Sequence, residues 1–277
     1  MTRVGSAIGV AAAGRACFAK PAQSAGHLTL QYFVPQIAIV APAADPAGGL
    51  PEKFGGSPWG LPMAMWPRCA NCGKSQSFLA QLSHEGGRLD LGRAGRFLFL
   101  FQCAHDPGMC ETWSATSGAN ACFVVEPENL TRAASVTPDD APPLENEVWI
   151  EGWLARDDGV CDADAASFLD AESWFALEDD VLKSVTWSTR LGGGPRWLQS
   201  PQDGPGKGFR FVGQLDSVYS FLTPPHQALG WIDADAARFE GRSHAGAGPN
   251  FGDGGIAYIF LQLTADLPLG RLLWQCG

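Results

Sequence analysis

The sequence predicts an α+β, strand-rich fold: two duplicated antiparallel β-sheet modules related by a pseudo-twofold axis, with a few short helices. Three observations carry this expectation. Three blocks recur in the same order in the two halves of the 277-residue chain, as duplicated units do. The chain holds 34 Gly and 20 Pro, residues that disfavour helix interiors and suit short strands joined by tight loops. The densest apolar run, Phe97-Leu98-Phe99-Leu100-Phe101, is strand length and far short of the roughly 18 residues of a membrane helix. The blocks divide the chain into an N-terminal extension with strands (1–48), a first module (49–135), an acidic linker with helices (136–186) and a second module (187–277).

Taken in order, the extension carries apolar runs at 28–34 and 37–40 that read as strands interrupted at Pro35. Arg3 precedes a small-residue run that Arg15 interrupts. Its Ala/Gly-rich character lacks the Leu-rich centre of a secretory signal, so a cytoplasmic, reducing compartment is expected.

The first module opens on Lys53-Phe54-Gly55-Gly56-Ser57-Pro58, matched by Arg190-Leu191-Gly192-Gly193-Gly194-Pro195 in the second. A Gly-Gly pair admits positive φ at both residues and the proline sets the exit direction. Each block is therefore a sharp bend that lays its tryptophan, Trp59 or Trp197, onto a sheet. Next come FLAQL at 78–82 and FVGQL at 211–215, strands that each bury one glutamine. Gln81 and Gln214 then need hydrogen-bond partners, for which the main chain of the bent loop is nearest; a ligand groove lined by both is the alternative. The third pair is a Gly-rich turn leading into an apolar strand that ends at Gln102 or Gln262. The linker begins with three prolines in eight residues and continues, over 163–182, with apolar residues at partly helical spacing. A further short helix is expected at 233–239.

Cys69-Ala70-Asn71-Cys72-Gly73 has the form of a zinc knuckle, two thiolates on a tight turn with glycine where the backbone curls toward the metal. Cys103 and Cys110 flank a short loop at the end of the Phe97 strand and supply the second half of a structural Zn(Cys)4 site, with His105 replacing Cys110 as a variant. A thioredoxin-like redox pair is the competing reading, but that motif opens a helix after a strand, whereas this one lies between Pro67 and Gly73. Cys17, Cys122, Cys161 and Cys276 have no such spacing and read as buried or incidental thiols. Four cysteine ligands close zinc to water, as in structural sites.

The formal charge of -10 is uneven. Residues 139–180 hold fourteen acidic residues and one basic, Arg156, so this segment carries -13 and the remainder +3. Such a stripe repels nucleic-acid phosphates and anionic membranes and attracts basic proteins or peptides; a face kept for solubility is the plainer reading. The chain contains no GxSxG, HExxH, GxxxxGK[ST] or Rossmann fingerprint. Its five histidines do not pair at helix-face spacing.

RLGGGPRWLQSPQ, FRFVGQLDS, HQALGW and FGDGGIAYIF in the second half closely resemble the bacterial YwqG-like family of unknown function. KFGGSPWGLP, CANC, SFLAQL and FLFLFQCAHDPGMC in the first half resemble the amino-terminal region of the eukaryotic programmed cell death protein 2 family. Together the likenesses cover residues 50–277. They imply a mixed, strand-rich fold and, from the eukaryotic relatives, a chaperone role for a basic ribosomal protein. The chain lacks those relatives' typical carboxy-terminal region. The expected function is a non-enzymatic, zinc-stapled protein-binding module, a chaperone or partner of a basic polypeptide; the alternative is a hydrolase with its site in the groove between the modules.

Overall fold

Alternation decides the architecture. In Phe97–Gln102 the side chains of Leu98 and Leu100 join one buried cluster while Phe97, Phe99 and Phe101 join another, so this strand is covered on both faces. The computed structural model describes residues 29–38, 49–106, 109–144, 147–162, 164–201, 205–217, 220–222, 242–244 and 248–277. Its strands are β1 (Thr29–Ile37), β2 (Glu52–Phe54), β3 (Ser77–Ser83), β4 (Phe97–Gln102), β5 (Asn120–Val125), β6 (Val148–Cys161), β7 (Arg190–Gly192), β8 (Arg210–Asp216), β9 (Ser220–Leu222), β10 (Arg242–His244), β11 (Ile256–Gln262) and β12 (Leu269–Gln275). Ten of them close into one antiparallel barrel in the order β1-β6-β2-β3-β4-β5-β12-β11-β8-β7, and β9 pairs with β10 apart from it.

This corrects the expected α+β fold of two duplicated sheet modules. There is one ring, mostly sheet, and the described residues hold only two short α-helices, α1 (Ala171–Phe175) and α2 (Asp179–Ser184). The reason is the management of edges. Two separate sheets would each leave unpaired strands exposed. Here β5 pairs with β12 through Phe123 and Leu269, while β2 and β7 are joined by β6 and β1. The last two strands pair with each other from Thr29↔Cys161 to Ile37↔Ile150. The space between the two halves is therefore the packed barrel interior, where Leu79, Leu82, Leu98 and Leu100 meet Leu191, Leu215, Ile259 and Leu261. Each such side chain contributes about 1.5–3 kcal/mol by leaving water.

β1 runs through Pro35, where the sequence suggested a break. The β7 ladder reaches only Tyr32 and Phe33 of β1, so Pro35 removes no bond on that side. The linker contains β6, a full barrel strand that the sequence reading did not assign. Its helical part is a 3-10 turn at Ala165–Leu169 followed by α1 and α2. The helix expected at 233–239 lies outside the described residues.

The recurring blocks take matching places in the ring. Gly55, Gly56, Gly192 and Gly193 all have φ between +63° and +72°. Lys53 pairs with Gln81 across β2 and β3, and Arg190 with Gln214 across β7 and β8. Lys53 Nζ donates to Ser57 O (2.6 Å) and Arg190 Nη2 to Gly194 O, in each case the carbonyl four residues on, so the basic residue clamps its own bend. Both cations are buried, Lys53 beside Glu147 and over the Trp149 ring, Arg190 near Asp158 and over the Tyr32 ring. Gln81 accepts from Trp59 N (2.7 Å) and donates to Pro51 O (2.6 Å). Gln214 accepts from Arg196 N (3.0 Å) and donates to Thr186 O and Ser188 O (both 3.1 Å). Both glutamines are fully buried tethers for the main chain flanking the bend, and neither faces a groove. Trp197 lies on the outer face of β11, 4.3 Å from the Tyr258 ring centroid.

Candidate metal centre

Cys69 and Cys72 sit on a turn at one end of the barrel, just before β3. Two local bonds shape it: Cys69 N donates to Lys74 O (2.8 Å) and Gly73 N to Cys69 O (2.8 Å). Gly73 has φ +74°, which a residue with a side chain rarely adopts. An antiparallel bridge between Arg68 and Ser75 closes the hairpin. Cys103 follows β4 directly and is fastened by its N–H to Ala119 O (2.8 Å). Cys110 enters through a turn in which Met109 N and Cys110 N both donate to Asp106 O (3.1 and 3.2 Å).

These elements bring all four sulfurs within 4.8 Å of one another, with Cys72 Sγ 3.6 Å from Cys103 Sγ. A tetrahedral ion with metal–sulfur bonds of about 2.3 Å needs sulfurs about 3.8 Å apart. The four cysteines are thus close enough to hold a metal ion. Cys69, Cys103 and Cys110 are buried, and Cys72 is exposed. Burial pushes the Cys103 thiol up to about 11 and raises that of Cys110 as well, whereas the Lys74 N–H beside Cys72 holds its thiol below the usual value. Packed this way, buried thiolates need a neighbouring cation, which is what a bound metal supplies.

The spacing C-x2-C-x30-C-x6-C thus identified four side chains that the fold gathers. His105 is not among them: its Nε2 lies 3.0 Å from Ser75 O, buttressing the hairpin. Cys122 and Cys276 stand apart from the cluster, and Cys161 Sγ donates to Asp164 Oδ2 (3.0 Å). Cys17, His27 and His226 lie outside the described residues.

Three supporting residues escaped the sequence reading. Asp140, counted there as part of the acidic stripe, accepts from Ser75 N (3.1 Å) and lies 3.6 Å from Arg68, fastening the knuckle to the following segment. Asn71 Oδ1 accepts from Glu111 N (3.4 Å) between the two cysteine loops. Gly118 lets the knuckle dock: Ala70 N donates to Gly118 O (3.0 Å), and a Cβ on Gly118 would lie 2.7 Å from Ala70 Cβ. The Ser117-Gly118 pair before β5 was the only available signal for this close approach.

Other acids of the segment fall in different surroundings. Glu147 and Asp158 serve the buried cations, and Asp158 also accepts from Gly194 N (2.9 Å) and Val160 N (3.0 Å). Asp162, Asp170, Glu172, Glu178, Asp179 and Asp180 are exposed around α1 and α2. Among them stand two exposed apolar side chains, Leu169 (41 %) and Phe175 (72 %). Among the described residues no helix is long and apolar enough to cross a membrane. No family model, curated protein or solved structure matches this chain.

Proposed function

We propose that the protein is a non-enzymatic binding module for a basic polypeptide, with a zinc ion stapling the two cysteine loops at one barrel end. The observation that carries this reading is the segment 162–180, where six exposed carboxylates alternate along the chain with the exposed side chains of Leu169 and Phe175. Charge alone would serve solubility. Large exposed apolar side chains interspersed with exposed acids in one segment suit a partner that offers both Lys or Arg and an apolar anchor. Four thiolates within 4.8 Å of one another favour zinc, and with no position left open the metal would act as a staple. The reading places the chain in a reducing, cytoplasmic compartment where the thiols stay free. The resemblance of the first half to the programmed cell death protein 2 family suggests the same class of function, a chaperone for a ribosomal-protein-like client.

The test is copurification with the tagged full chain at low salt and above roughly 0.5 M, where the Debye length is only a few ångströms. A variant carrying Glu172→Lys, Glu178→Lys and Asp180→Lys should lose its basic partners at low salt. All three side chains are exposed, so the fold should persist. Asp158 must be left intact because it is buried and structural. Retention of every partner by the reversed variant would overturn the reading. Elemental analysis of the purified protein decides the metal independently.

A further inference from the structure

The metal centre is asymmetric in a way that a purely structural staple does not require. Three of its sulfurs belong to buried residues packed with Ala119, while Cys72 sits exposed at the tip of the knuckle. It faces Cys103, with the sulfurs 3.6 Å apart. Closing that gap to a disulfide bond of about 2.05 Å takes about 1.5 Å of movement, within reach of a side-chain rotation. The tip faces open space, since nothing lies within 4 Å of where a Cβ on Gly73 would stand, so an oxidant can reach Cys72 there. Cys103, by contrast, is anchored by its bond to Ala119 O.

We propose that Cys72 and Cys103 form an oxidative modification site, at which hydrogen peroxide makes a disulfide and expels the metal. This rests on the reading of the four cysteines as a metal centre. The Cys72 thiolate attacks one peroxide oxygen; an S–O bond forms, the O–O bond breaks, and the departing hydroxide takes a proton to become water. The Cys103 thiolate then attacks the Cys72 sulfur, forming S–S and breaking S–O, and the second hydroxide leaves as water. The sulfur pair loses two electrons, the peroxide gains them, and the metal departs with its charge unchanged because two of its four ligands are gone. A dithiol reductant with added metal reverses the change.

The full chain is loaded with zinc, its metal content measured, and hydrogen peroxide added while a chromogenic chelator reports released zinc. Peptide mapping without reduction should find Cys72 joined to Cys103, the whole zinc complement should be lost, and dithiothreitol with zinc should restore it. Alkylation of the zinc-loaded chain before peroxide should label Cys72 ahead of Cys69, Cys103 and Cys110. A loaded protein that keeps its zinc under peroxide, or one that releases it with a different cysteine pair joined, overturns this inference while the staple stands. A chain that takes up no zinc overturns both. The mapping uses the unmutated protein, so the result does not depend on a Cys72→Ser variant folding.

Discussion

Removing the metal should unfasten two loops and leave the barrel standing. None of Cys69, Cys72, Cys103 and Cys110 belongs to the cluster that fills the barrel interior, whose members come from strands on both sides of the ring. What a bound metal would join is the knuckle and the loop bearing Cys110, otherwise linked by single bonds such as Ala70 N to Gly118 O and Glu111 N to Asn71 Oδ1. With free zinc at about 100 times its dissociation constant, binding adds about 2.7 kcal/mol to folding. A chain of 277 residues has an unfolding entropy near 0.6 kcal/mol/K, so chelation or Cys103→Ser should lower Tm by about 5 °C. Calorimetry with and without chelator measures the shift, and hydrogen exchange read by mass spectrometry locates it. Amides of the knuckle and of residues 103–119 should lose protection, while β4 and β11, buried on both faces, keep theirs. Collapse of protection in β4 and β11 on chelation would refute the reasoning, as would loops that exchange no faster without metal.

Because burial raises the Cys103 and Cys110 thiols, both are protonated at neutral pH without metal, so zinc binding should release protons and tighten as pH rises toward about 11; titration calorimetry in buffers of different ionisation enthalpy counts the protons, and a buffer-independent heat would contradict this. Gly193→Ala should destabilise by well over the roughly 1–2 kcal/mol of left-handed strain alone, because its Cβ would lie 2.4 Å from Arg190 Nη1 and 2.7 Å from Asp158 Oδ2; Gly254→Ala, with φ +62° and open space, should pay only the strain, and chemical denaturation compares them. Gln214→Leu strands Arg196 N, Thr186 O and Ser188 O in the interior and should cost about 3 kcal/mol or more, whereas Gln31→Leu at an exposed position should stay within about 0.5 kcal/mol. Gly118→Ala should weaken zinc affinity through its clash with Ala70 while leaving the barrel's exchange protection intact.

Short-range patterns were legible in the sequence. The Gly-Gly bends, the strand-length apolar runs with their single glutamines, and the two pairs of cysteines are local signals, because backbone conformation and turn chemistry depend on neighbours a few residues apart. What the chain does with them was decided only in three dimensions. Whether two sets of strands remain separate sheets or close into a ring depends on β1 meeting β6, a pairing between residues more than a hundred positions apart that no local period records. β6 was hidden because Glu151, Arg156 and Asp157 interrupt its apolar pattern, so it reads as linker. The acids were equally ambiguous: a carboxylate in the sequence carries the same charge wherever it lands. Only the fold sets Asp140 against the knuckle, Glu147 and Asp158 beside buried cations, and Glu172, Glu178 and Asp180 in solvent, since a charge can be buried only where the rest of the structure supplies its partner.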